Sequence, residues 1–248
     1  MMNRRQFTVG AAAFLAGVSS VQAQGGMERG GPNRGMGRGD QRGMRGGASG
    51  RGGRFFSSPP KAMDDSEKRI LDVLQSMLSN PQGVPSVPMD DGRFLRTLAE
   101  FGNAKQVVEI GTAQGTSAIW FCMALRKTGG KLRTYEIDPV IAQVARKNFE
   151  RAGVDAIVTL VLGDAHVEAA KFEGAIDVLF LDADKPGYRD YLDKLLPKVR
   201  PGGVVAAHNI NPGQADQRFV EAITTNAQLD SLLVTLQSGG ISVSLKKR

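Results

Sequence analysis

From Lys61 onward the chain repeats one alternation: a short apolar run with a polar or glycine tip, then a segment of helical period. "QVVEIG", "LRTYEID", "AIVTLVLGD", "AIDVLFLDAD" and "GVVAAHN" read as strands. "TSAIWFCMALRKTGG", "PVIAQVARKNFERAG", "AHVEAAKFE", "GYRDYLDKLLPKV" and "QADQRFVEAITTN" read as the helices that follow them. Strands this apolar need cover on both faces, which parallel strands with helical crossovers supply. "DDSEKRILDVLQSMLS" and "DDGRFLRTLAEFG" add two helices before the first strand. "SLLVTLQS" and "GISVSLKKR" close the chain as a hairpin turning at Gly239 and Gly240. The expected fold class is α/β: a doubly wound sheet, mostly parallel, with an antiparallel C-terminal hairpin.

The N-terminal quarter is of another kind. Residues 1–23 combine Arg4 and Arg5, an apolar run to about Val21 and a small-residue ending at Ala23, the layout of a secretory signal of twin-arginine type. The apolar run is too short to span a bilayer. The expected location is therefore the periplasm or cell envelope, or the cytoplasm if the signal is not used. Residues 24–60 are Gly/Arg-rich with little to bury, and are expected to form a disordered linker. Residues 1–60 hold nine arginines against Glu28 and Asp40, so the chain's net charge of +7 resides there and the rest is neutral. The basic character thus gives no reason to expect nucleic-acid binding by the folded domain, residues 61–248. Its single cysteine, Cys122, lies in an apolar helix and reads as a core thiol, so the fold rests on burial without an internal disulfide.

In open parallel sheets ligands bind beyond the carboxyl ends of the strands. Five such tips carry glycine or polar groups: "EIGTAQG", "YEID", "LGDA", "LDADK" and "AHN". Gly111 and Gly115 allow close approach of backbone to a ligand, but without the G-x-G-x-x-G spacing of a dinucleotide site. Glu136, ending the second strand, can accept hydrogen bonds from both hydroxyls of a ribose. Together they suggest an adenosine-containing cofactor without a pyrophosphate.

"DDGRFLRTLAEFGNAKQVVEIGTAQGTSAIW", "TYEIDP", "LGDA", "VLFLDADKPGY" and "PGGVVAAHNI" resemble the cation-dependent class I O-methyltransferases. That is the group of catechol and caffeoyl-CoA O-methyltransferases and their small bacterial relatives. The resemblance covers about residues 84–248 and implies the Rossmann-like class I methyltransferase fold. It implies S-adenosylmethionine (SAM) as cofactor, lined by Val87, Gly111, Thr112, Ser117, Ala165 and Asp184. Glu109 would neighbour the methionine ammonium and Glu136 would hold the ribose. Asp182 would ligate a divalent cation with His208 and Asn209, and Lys185 would be the general base. The expected reaction is methyl transfer to a hydroxyl of a small catechol-like acceptor. A homodimer is possible by the same resemblance.

The family usually carries Asp-Asn where this chain has His208-Asn209. If His208 ligates the cation, imidazole replaces a carboxylate and favours Mn²⁺, Fe²⁺ or Zn²⁺ over Mg²⁺, with binding weakened as pH falls towards 6. The other reading has His208 hydrogen-bonding a neighbour instead. His166 is expected beside the adenine or at the surface. Two other functions stay open: an exported non-catalytic binding protein on this fold, and an NAD-dependent oxidoreductase. The missing G-x-G-x-x-G and the closing hairpin weigh against the latter.

Overall fold

The computed structural model describes residues 58–80 and 86–248. The signal expected at 1–23 and the linker as far as residue 57 lie outside the described residues. The described chain opens with α1 (Asp65–Leu78) and α2 (Met89–Phe101). Strands and helices then alternate: β1 (Gln106–Ile110), α3 (Thr116–Thr128), β2 (Lys131–Glu136), α4 (Pro139–Ala152) and β3 (Val158–Leu162). There follow α5 (Ala165–Glu168), β4 (Ile176–Leu181), α6 (Tyr188–Leu195), β5 (Val199–His208), α7 (Gln217–Thr225), β6 (Leu229–Val234) and β7 (Ile241–Lys246).

The seven strands form one sheet in the order β3-β2-β1-β4-β5-β7-β6. The pairs among β1 to β5 are parallel, and β7 runs antiparallel between β5 and β6. This is the expected fold class. Two local readings need correction. The closing strands are joined through residues 235–240 rather than by a two-glycine turn, because β6 stops at Val234. "AHVEAAKFE" is one α-turn followed by a 3₁₀ turn, too short to present an amphipathic face.

Helix ends follow local chemistry. Asp64, Asp138, Asp164 and Asp216 each accept a backbone N–H as the N-cap of α1, α4, α5 and α7. Gly129 and Gly153, both left-handed, terminate α3 and α4.

The central strands divide their side chains between two cores. Val107, Val178, Phe180 and Ala206 pack on the face covered by α1–α4. Val108, Leu179, Leu181, Val205 and Ala207 pack on the face covered by α6 and α7. The period-2 alternation therefore carries Glu109, Asp182 and His208 towards the first face, beneath α2 and α3. Phe180 marks the centre of that layer: it is fully buried, edge-on to Phe121 with ring centroids 5.6 Å apart. We predict that Phe180→Ala costs about 3–5 kcal/mol, read from urea unfolding of the full chain. A loss within experimental error would mean that this face is not close-packed.

Candidate functional site

Sheet order reverses between β1 and β4, and the tips of these strands are locked together. Asp182 donates its backbone N–H to the Ile110 carbonyl at 2.9 Å. Gly111 follows at φ +97°, and a Cβ there would stand 2.3 Å from the Asp182 carbonyl oxygen. Only glycine meets both conditions. Two cavities open at this point. One, of about 220 Å³, is lined by Ser86, Val87, Gly111, Thr112, Ala113, Thr116, Ser117, Asp182, His208 and Asn209. The other, of about 490 Å³, includes Glu136, Ala165, His166, Asp184 and Tyr191. Gly111, Ala113 and Asp182 belong to both.

The structure thus brings Val87, Gly111, Thr112, Ser117, Glu136, Ala165, Asp182, Asp184, His208 and Asn209 onto the walls of the two cavities. Glu109 and Lys185 line neither. Glu109 is fully buried beneath the floor, accepting hydrogen bonds from Ser117 Oγ at 2.5 Å and Thr134 Oγ1 at 2.6 Å. Burial pushes its carboxyl up to about 8, against the pull of those two hydroxyls. Ser117 is the side chain that stands between Glu109 and the cavity. Lys185 lies behind Asp182, its Nζ 3.4 Å from Asp182 Oδ1 and 2.6 Å from the Tyr188 hydroxyl. Burial lowers its pKa, an effect that Asp182 and Asp184 oppose.

The larger cavity suits an adenosyl group. Backbone N–H groups of Ala113, Ile137 and Asp138 hold the Glu136 carboxylate, which keeps lone-pair capacity for hydroxyls. His166 stacks on Tyr191 at 4.4 Å, and Asp184 accepts from the Tyr191 hydroxyl at 2.8 Å. At the start of α3, whose Thr116 and Ser117 line the smaller cavity, the N-cap Gly115 offers no side-chain cap, so the first-turn N–H groups remain available to an anion. The Thr116 hydroxyl is buried there with no hydrogen-bond partner. A zwitterionic amino-acid group would satisfy both. These residues fit SAM. Thr116 escaped the sequence reading, which chose its neighbour Ser117 from the same motif.

A line of alternating charge crosses the rim. His208, at the tip of β5, is 3% exposed. Its Nδ1 stands 3.1 Å from Asp182 Oδ2 and its Nε2 stands 3.1 Å from Asp91 Oδ2. Asp91, in the first turn of α2, is fully buried. The β6–β7 connection pins it: the Gln237 N–H donates to its Oδ1 at 2.9 Å. Carboxylates can only accept, so both ring nitrogens must carry protons for both bonds to form. Burial works against that charge, but the two carboxylates outweigh it and raise His208 to about 9. Burial likewise pushes Asp91 up, and the bonds from His208, Ser238 and Gln237 more than reverse it.

The donor set expected for a divalent cation is therefore already committed. Asp182 gives one oxygen to His208 and the other to Lys185, and both nitrogens of His208 face carboxylates. Asn209, left-handed at φ 58°, accepts the Gly239 N–H on its Oδ1 at 3.3 Å. Among the described residues no group of three or more His, Cys, Asp or Glu could hold a metal ion. Asp91 is the residue that sequence reasoning missed: "DDGR" reads as an ordinary acidic first helical turn.

A family model described as O-methyltransferase matches residues 62–216. The chain belongs to this O-methyltransferase family. Its relatives include a protein of Niastella koreensis named catechol O-methyltransferase, 42% identical over 134 residues. That match covers 52% of this chain and 60% of the relative, so the chain matches less than two thirds of the relative's own length. A crystal structure from Klebsiella pneumoniae, provisionally named an O-methyltransferase, is 30% identical with a TM-score of 0.62, covering 76% of this chain and 92% of that one. An O-methyltransferase of Bacillus cereus in complex with SAH is 26% identical with a TM-score of 0.61, over the same shares.

The O-methyltransferase domain should lose stability on the alkaline side. His208 has its folded value raised above its ordinary 6.5, so its contribution is complete below about 6.5 and disappears as pH rises through about 9. Glu109, also raised, takes up a proton on folding between about 4.5 and 8, which again favours the folded state at lower pH. The urea midpoint should therefore fall steadily from pH 6.5 to 9, and His208→Gln should flatten the upper part of that decline. An equally steep decline in the variant would mean that His208 does not carry the charge.

Proposed function

We propose that this protein transfers a methyl group from SAM to a hydroxyl oxygen of a small, catechol-like acceptor. The observation that carries this reading is the pair of cavities meeting at Gly111, Ala113 and Asp182. One has the ribose-binding carboxylate; the other has a helix N-terminus and an unpartnered hydroxyl. The acceptor class rests on the similarity to a relative named catechol O-methyltransferase.

SAM, when bound, supplies an electrophilic sulfonium methyl. The chain's own residues do the rest by positioning. Glu136 accepts from ribose hydroxyls, while the first-turn N–H groups of α3, that of Ser117 among them, and the Thr116 hydroxyl take the amino-acid carboxylate. Gly111 lets the two groups share one continuous trough. Lys185, with its ammonium destabilised by burial, is the residue we assign to receive the acceptor proton, next to Asp182. Export stays a proposal that rests on residues 1–23, tested by fractionating cells that express the full chain.

Calorimetry with SAM tests the cofactor. Gly111→Val should weaken SAM at least about a hundredfold, because its Cβ would collide with the Asp182 backbone. Thr116→Val should weaken it by about tenfold, the scale of one hydrogen bond to a charged group. Absence of any SAM binding by the wild type would remove the methyltransferase reading. SAM binding without methyl transfer to any phenolic acceptor would leave a binding protein.

A further inference from the structure

We propose that the cavity between α7 and the β6–β7 strands is a second small-molecule site, which takes a compact, uncharged, mostly apolar molecule and fixes its one hydroxyl or carbonyl group on Ser242. The inference goes beyond the methyltransferase reading and does not depend on it.

The cavity has the size and walls of a binding site. It measures about 440 Å³, and small-molecule pockets run from roughly 300 to 1,000 Å³. Ile210, Val220, Ile223 and Leu233 supply apolar walls, with α7 on one side and the two closing strands on the other. Among the described residues no charged side chain lines it. Its rim is tied down by backbone. The N–H groups of Gln214 and Ala215 donate to the Asn211 carbonyl at 3.0 and 2.9 Å, and that of Ile210 donates to the Gly240 carbonyl at 3.0 Å.

Ser242 gives the cavity its chemistry. It lines the wall, it is 4% exposed, and its hydroxyl has no hydrogen-bond partner. The register of the sheet explains why. Ser242 stands between Ala207 of β5 and Leu233 of β6, and neither side chain can bond to it. Two residues on, Ser244 stands opposite Ser231, and these two hydroxyls bond at 2.8 Å. β7 therefore carries two buried serines on one face, and the one left unmet is the one at the cavity. A buried hydroxyl without a partner is destabilising, and the neighbouring strands fill this face with Val205, Ala207 and Leu181. A polar atom of a ligand would remove that cost. Apolar walls around one convergent polar group hold a molecule by burial and orient it by a single hydrogen bond.

The site is separate from the cavities at the strand tips. Asn209 lines the smaller of those, and the next residue, Ile210, lines this one. No lining residue is shared with either.

The test uses the full chain with carbon-13-labelled isoleucine methyls, assigned through Ile210→Val and Ile223→Val. Benzyl alcohol is titrated, with ethylbenzene as the same shape without the oxygen. Benzyl alcohol should give saturable shifts at Ile210 and Ile223, the same with and without SAM. Ser242→Ala should weaken benzyl alcohol about fivefold, the scale of one neutral hydrogen bond, and change ethylbenzene by less than about twofold. The same variant should not lower the urea midpoint, because the hydroxyl has no partner to lose. The proposal is overturned by no saturable shift at these two methyls, by shifts centred on Ile110 at the strand tips, or by equal effects of Ser242→Ala on both ligands. A lowered urea midpoint would also overturn it, by showing the hydroxyl bonded in the free protein. Broadening at Ile223 that grows with protein concentration would mean that a second copy of the chain covers the cavity, and would overturn it too.

Discussion

An imidazole wedged between two ionised carboxylates can hydrogen-bond to both only while both of its nitrogens carry protons, because neither neighbour can donate. That constraint ties together the tip of β5, the tip of β4, the first turn of α2 and the β6–β7 connection through His208, Asp182, Asp91 and Gln237. Buried ion pairs of this kind contribute little net stability relative to an apolar core, but breaking one is costly. Their effect is on geometry. Asp182 is held from two sides, by His208 and by Lys185, so the wall common to both cavities has one arrangement.

The trough beside it depends on backbone rather than on charge. Gly111 sits where β1 and β4 diverge, and any side chain there would strike the Asp182 carbonyl. The polar side chains of the rim are held from below. Thr112 and Thr134 share a hydrogen bond, Thr134 reaches Glu109, and Glu109 reaches Ser117. The largest polar group in that chain, Glu109, is a support beneath the cavity rather than part of its wall.

Much of the architecture was legible in the residues. Strand runs such as "VLFL" are apolar at every position, and the structure places their alternate side chains in two cores. The caps at Asp64, Asp138 and Asp216 act within their own turn, so they can be read locally. The C-terminal strands were harder, since β6 lies at the sheet edge with Leu232 and Leu233 half exposed and its hydrophobic pattern does not mark its end. The rim residues were legible as strand tips, because sheet topology alone puts strand ends together. That Glu109 and Lys185 line neither cavity was not legible, since sequence spacing says which tip a residue belongs to but not how deep its side chain lies.

The sequence by itself determined the α/β alternation, the position of each tip and the membership in the O-methyltransferase family, all of which depend on short-range pattern. That His208 would meet a second carboxylate depended on Asp91, which is 117 residues earlier and looks like any acidic first-turn residue. Only the packing of α2 over the end of β5 decided that meeting, because a charge becomes a partner when folding removes water from between the two groups.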